Sequence, residues 1–237
     1  MKFRNTVRTE QTKSEALFLE YCKLRTYGAN RISAPEDAGR FADYELHING
    51  HRVIAEIKEL QANPEDERIA KAMEETRTEA FGDNPGRRVR THIEDAERQL
   101  RRYESEEVPC VVVLYDNILV HGHRVHPHGF WLEPYHVDVG MYGLQVVNVR
   151  LHQDGTTESL GDTRGGKRTL RHTHRANVSA VAVLYDHAPD CGLFLVVYHN
   201  YYGRVPLPKS LFANAKDRQL EKTDPQASPG PWLRVQN

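Results

Sequence analysis

The chain has 237 residues, 27% of them charged, and its 32 Lys and Arg balance 33 Asp and Glu to a formal charge of -1. This near-neutral balance excludes a generally basic nucleic-acid coat and leaves any anionic partner to local patches. No apolar run is long enough to span a bilayer, and residues 1–13 lack the apolar stretch of a signal peptide, so a cytoplasmic protein without a membrane partner is expected.

Cys22, Cys110 and Cys191 are isolated and odd in number, without paired metal-type spacing, and read as small core residues. The length suits one domain. Residues 12–27 read as its first helix: Leu17, Phe18, Tyr21 and Leu24 follow helical spacing, and Gly28 stops it. At its start Thr12-x-x-Glu15 fits a capping box. Residues 30–35 add a short strand.

Residues 39–60 define a β-hairpin almost residue by residue. Asn49-Gly50 between two alternating runs signals a two-residue type I′ turn, in which both central positions need positive φ. That turn pairs Ile48 with His51, Leu46 with Val53 and Tyr44 with Ala55, and sets Asp43 opposite Glu56. Tyr44, Leu46, Ile48, Val53, Ala55 and Ile57 then share the core face. The other face carries Asp43, Glu45, His47, Arg52, Ile54, Glu56 and Lys58. Opposed carboxylates repel, so a positive group belongs between them. A Mg²⁺-type ion suits the cluster, since it takes hard oxygen ligands and keeps several waters. The alternative is a solvated sheet surface on which Lys58 simply pairs with Glu56.

Asp43 followed by Glu56-Ile57-Lys58 resembles the PD-(D/E)xK motif of the restriction-endonuclease-like nuclease superfamily, with Ala42 where the family often has proline. The resemblance implies an α/β fold with an αβββαβ core and a mixed central sheet. It also implies Mg²⁺ (or Mn²⁺) held by Asp43, Glu56 and the Ile57 carbonyl, with Lys58 orienting or deprotonating the attacking water. The stretch SEALFLEYC, residues 14–22, is similar to the family's first helix, whose acidic residue points into the metal site. This makes Glu15 a further catalytic candidate, against its capping role.

Asn63-Pro64 begins a strongly polar helix over 65–81, read as an insertion at the edge of the fold. Residues 87–103 form the next helix, with Val89, Ile93, Ala96 and Leu100 on its apolar stripe. Gln99 and Tyr103, four residues apart, share a face. A Gln-x-x-x-Tyr helix after the Glu-x-Lys strand is similar to a motif of exonuclease-type branches, which implies that Gln99 reaches the site and Tyr103 supports it. Arg87, Arg88 and Arg90, with Tyr103, form a candidate nucleic-acid surface; interleaved acids also allow ordinary helix-surface ion pairs. Residues 108–116 are an apolar, β-branched run of the type buried on both faces of a central sheet.

His121, His123, His126 and His128 lack an accompanying carboxylate or cysteine pattern and read as surface-loop histidines rather than a zinc site. Residues 144–151 read as a strand. Residues 163–175 hold Lys167, Arg168 and Arg171 with no acid, so the segment either tracks a nucleic-acid backbone or is a solvated loop. Residues 177–185 and 193–199 are two paired strands. The expected organisation is a single domain over 1–212, with its core at 12–116 and a C-terminal elaboration of additional strands at 117–212. A flexible tail over 213–237 follows. The function so implied is a metal-dependent nuclease hydrolysing phosphodiester bonds, DNA in preference to RNA, in defence or repair. The alternative is a catalytically inactive nucleic-acid-binding protein of the same fold, and a homodimer or larger complex is compatible with either.

Overall fold

A computed structural model describes residues 11–33, 41–75, 84–124, 126–165, 169–188, 192–225 and 231–235. Its first half runs α1 (Lys13–Leu24), β1 (Gly28–Arg31), β2 (Tyr44–Ile48), β3 (His51–Leu60), α2 (Pro64–Glu74), α3 (Arg87–Leu100) and β4 (Cys110–Asp116). The second half adds α4 (Pro134–Tyr142), β5 (Leu144–Leu151), β6 (Thr157–Gly165), β7 (Ala180–Ala188), β8 (Gly192–His199), β9 (Arg218–Glu221) and β10 (Leu233–Arg234). The fold is α/β with a mixed eight-stranded sheet in the order β1-β2-β3-β4-β7-β8-β9-β10. Its centre, β3-β4-β7, is parallel, and antiparallel pairs flank it.

The expected αβββαβ order is present, with α2 inserted before α3. The hairpin forms in the register read from its turn, pairing Tyr44 with Ala55, Leu46 with Val53 and Ile48 with His51. Asn49 and Gly50 both take positive φ, 50° and 80°, as a type I′ turn requires.

Two cores cover the two faces of the sheet. On one, Phe18, Tyr21 and Cys22 of α1 pack on Tyr44, Leu46, Val53, Ala55 and Ile57, joined by Val111, Val113 and Leu195. On the other, Val89, Ile93, Ala96 and Leu100 of α3 lie with Val137 and Met141 of α4 over Ile54, Val112 and Leu114. The polar face of the hairpin is therefore roofed by α3 toward its Lys58 end rather than solvated. Asp66 is fully buried: it completes the capping box of α2, accepting the amide hydrogen of the N-cap residue Asn63 at 2.9 Å, and both its oxygens accept from Arg88 Nη2, at 2.9 and 2.8 Å.

The polar helix runs over Pro64–Glu74, the rest of its expected span, 76–81, lying outside the described residues, and α3 gives way at Arg101 to a 3-10 turn, Arg101–Glu106, that contains Tyr103. The strand expected at 144–151 is present with those bounds and pairs with β6 as a separate two-stranded ribbon, rooted where Arg164 meets Asp138 at 2.6 Å and the Gly143 carbonyl at 3.2 Å. The supposed flexible tail carries β9, parallel to β8, and β10 beyond it. Its polar composition hides those strands, because what holds them is long-range. Asp217 accepts from Tyr21 Oη at 2.8 Å and from the Leu195 amide at 2.9 Å, and the Gln219 amide donates to the carbonyls of Lys209 and Leu211.

Candidate active site

Asp43 lies one residue ahead of β2, so the hairpin register carried one step further sets it across from Glu56. Its Oδ2 accepts the Ile57 amide hydrogen at 2.8 Å, which pins the carboxylate against β3. Glu56 and Lys58, two residues apart on one strand, point to the same face. Lys58 Nζ donates to Glu56 Oε1 at 2.6 Å and to Gln99 Oε1 at 3.2 Å. Gln99 Nε2 donates to the same Glu56 oxygen and, at 2.9 Å, to the Phe41 carbonyl. Glu56, Lys58 and Gln99 thus close a hydrogen-bonded triangle, anchored to the backbone just before Asp43. The Lys58 side chain keeps 19% exposure while that of Glu56 has 1%, so the ammonium forms the outer rim and the carboxylate the floor.

Glu56 Oε2 is buried and meets no hydrogen-bond donor among the described residues. A buried acceptor left without a donor costs about 1–3 kcal/mol, and here it faces a second carboxylate. Burial, and then the negative charge of Asp43, push the Glu56 carboxyl up to about 8, against the opposing pull of Lys58. Burial also raises Asp43; the Ile57 amide and Lys58 offset part of this, and Glu15 adds to it. The pair is short of positive charge even with its lysine in place. A divalent cation supplies what these oxygens lack, and Mg²⁺ is commonly held by one or two carboxylates with waters and substrate phosphates completing its shell.

Glu15 fills its capping role. Its Oε2 accepts from the Thr12 amide and hydroxyl at 2.7 and 2.9 Å, and its Oε1 lies 3.6 Å from Arg31. It reaches Asp43 through charge, and among the described residues no three His, Cys, Asp or Glu side chains converge to hold a metal ion.

The expected nucleic-acid surface is largely spent inside the protein. Arg88 pairs with Asp66 and lies 4.5 Å over the Trp131 ring, Arg90 donates to the Val139 carbonyl, and Tyr103 is buried beside Ala42 in the α3 core. Arg88 and Arg90 are engaged by α2 and α4, while Tyr103 lies in the core from the 3-10 turn after α3. Arg87 is exposed, as is Arg171, whose backbone bridges to His174. Lys167 and Arg168 lie outside the described residues. His126 and His128 are mostly buried rather than loop-surface: His126 stacks on Phe130 at 5.0 Å, and His128 lies 3.0 Å from Asp186.

One residue escaped the sequence reading. His92 sits seven positions before Gln99, two helical turns along the same face, and its imidazole is pushed down to about 4 by burial and then by the charge of Lys58. The heptad spacing was the available signal. It marks His92 as a neutral neighbour of the lysine.

No protein-family model and no curated protein sequence matches the chain. A solved structure with partial likeness is that of Pyrococcus furiosus SfsA in complex with Ca²⁺, 11% identical, with a TM-score of 0.22 over 63% of this chain and 60% of that one. The chain thus spans under two thirds of that structure's length, and a likeness at that score identifies neither fold nor function. No helix among the described residues is long and apolar enough to cross a membrane.

Proposed function

We propose that the chain is a metal-dependent phosphodiesterase acting on nucleic acid, with DNA preferred over RNA. One observation carries the reading: a buried carboxylate, Glu56, and a half-buried one, Asp43, oppose each other across a hairpin, one oxygen of Glu56 lacks a donor among the described residues, and a lysine stands at the rim. Asp43, Glu56 and the Ile57 carbonyl are the oxygens that would hold Mg²⁺ (or Mn²⁺). When bound, such an ion lowers the pKa of a coordinated water and offsets charge that builds on the phosphate. Lys58 is placed to orient that water or to neutralise a phosphate oxygen. Gln99 is a positioning residue, holding Glu56 and Lys58 in register with the Phe41 carbonyl. Burial keeps Glu56 protonated near neutrality, so loading the site releases a proton and strengthens as pH rises through about 8.

A second reading, a nucleic-acid-binding protein without catalysis, is favoured by the engagement of Glu15 with Thr12 and Arg31, which leaves two carboxylates at the site. One experiment separates the two. Purified protein is incubated with linear, nicked and single-stranded DNA and with RNA, in Mg²⁺ or Mn²⁺. Cleavage is expected, lost in EDTA and reduced about 100-fold or more by Asp43→Ala and by Lys58→Ala. Cleavage unchanged in either variant removes this site from the chemistry. Retained binding with blank cleavage favours the second reading.

A further inference from the structure

On the flank of α3 opposite Gln99 the surface opens into a cleft of about 440 Å³, a volume within the range of small-ligand sites. Glu97 lines it from α3 and Arg101 from the first residue of the 3-10 turn that continues it. Each lies two residues, or 200° of helix, from Gln99, so the cleft and the carboxylate pair face opposite sides of the helix. The segment before β7 supplies Asn177, and the turn after β8 supplies Tyr201 and Arg204.

Asn177 is the informative residue. It is 9% exposed, and its Nδ2 is buried with no acceptor among the described residues. Nearby Asn200 shows what a purely structural amide does in this fold: its Nδ2 donates to the Val178 carbonyl at 2.7 Å and its Oδ1 accepts from the Tyr202 amide at 3.0 Å. A buried donor without an acceptor is unfavourable unless something else provides one. Around it stand the chemistries of an anion site. Arg204 pairs with Glu104 at 2.7 Å and Arg101 with Glu97 at 2.9 Å. The Arg204–Glu104 pair is about half exposed on both sides, weak enough to be exchanged for a phosphate, while Arg101, 64% exposed, stays paired through Nε and Nη2 with the buried Glu97 and adds its positive charge at the rim. Tyr201 is braced edge-on by Tyr202 at 5.1 Å, yet remains 46% exposed, a fixed aromatic surface at the mouth.

We infer that this cleft is a nucleotide subsite, with a base stacked on Tyr201, an acceptor on the base edge taking the Asn177 Nδ2 hydrogen, and the phosphate held by Arg204 and Arg101. The ligand is either a free mononucleotide or one nucleotide of a strand. The site is separate from the carboxylate pair and stands whether or not that pair cleaves anything.

Calorimetric titration of the full chain in EDTA, with AMP, GMP, CMP and dTMP and then with a short single-stranded oligonucleotide, tests this without involving metal. Saturable binding is expected, weakened about tenfold by Tyr201→Ala, as loss of base stacking predicts, and by at least as much in Arg204→Ala. Both positions are exposed, so these variants keep the fold even if Asn177→Asp, expected to weaken binding further, does not. Saturation by mononucleotides identifies a free nucleotide as the ligand; saturation by the oligonucleotide alone identifies a strand. No binding of either at millimolar concentration, or binding that neither Tyr201→Ala nor Arg204→Ala alters, overturns the assignment.

Discussion

Glu56 concentrates the electrostatic conflict of the molecule in one side chain, and the conflict has a measurable sign. With its folded pKa near 8, above the ordinary 4.5, the native state binds more protons than the unfolded chain between those values. Stability of the metal-free protein therefore falls as pH rises through that window. Glu56→Gln removes this loss. An amide is neutral throughout, its oxygen still accepts from Lys58 and Gln99, and its nitrogen can donate to Asp43. In EDTA the variant is expected to melt a few degrees above the parent at pH 8, with the gain gone near pH 5. A thermal melt series shows this directly, and a parent whose melting temperature is flat from pH 5 to 8 contradicts it. At this scale the grouping of Asp43, Glu56 and Lys58 was legible because the turn register and strand alternation place them, whereas Gln99 was reached only through the resemblance of its helix to a family motif. Arg88 and Arg90 were misjudged because their acceptors, Asp66 and the Val139 carbonyl, belong to other helices.

The position of Gln99 depends on α3, and α3 is seated by the close approach of two glycines. Gly86 caps the helix at φ +71°, and a Cβ there would meet the Gly140 nitrogen at 2.4 Å and the Val139 carbonyl carbon at 2.7 Å. Both are backbone atoms of α4, so nothing can swing aside. Gly86→Ala is expected to lower stability by about 3 kcal/mol or more, from left-handed strain together with overpacking, as read from urea denaturation. Because the helix must shift to relieve the clash, any cleavage activity should fall with it. Loss of less than about 0.5 kcal/mol, the range of an ordinary surface change, would show that the two helices can separate freely. The elements themselves were visible in the periodicity of Val89, Ile93, Ala96 and Leu100. Their mutual packing was not, since Gly86 in the sequence looks only like a breaker.

Across the whole molecule, the C-terminal segment closes the sheet. Asp217 satisfies the buried Tyr21 hydroxyl of α1 and the Leu195 amide of β8, joining the first helix to a strand far along the chain. Removing residues 213–237 leaves both donors buried without that acceptor and opens the β8 edge to pairing with other chains. The truncated protein is expected to melt roughly 10 °C lower, which corresponds to a few kcal/mol at this chain length, and to aggregate on heating. A melting temperature unchanged within about 2 °C would show that β9 and β10 contribute little to the sheet.

Local chemistry in the sequence was enough to determine the hairpin register, the apolar face of each helix, the buried central strand and the opposition of Asp43 to Glu56, because each follows from φ preference or from side-chain period over a few residues. Tertiary structure alone decided the placing of β9 beside β8, the pairing of Glu15 with Arg31, the roof that α3 forms over Glu56, and the Asn177 amide, unpartnered among the described residues. Those outcomes depend on partners tens to hundreds of residues away, and on whether burial removes water from a charge, which no spacing rule along the chain encodes.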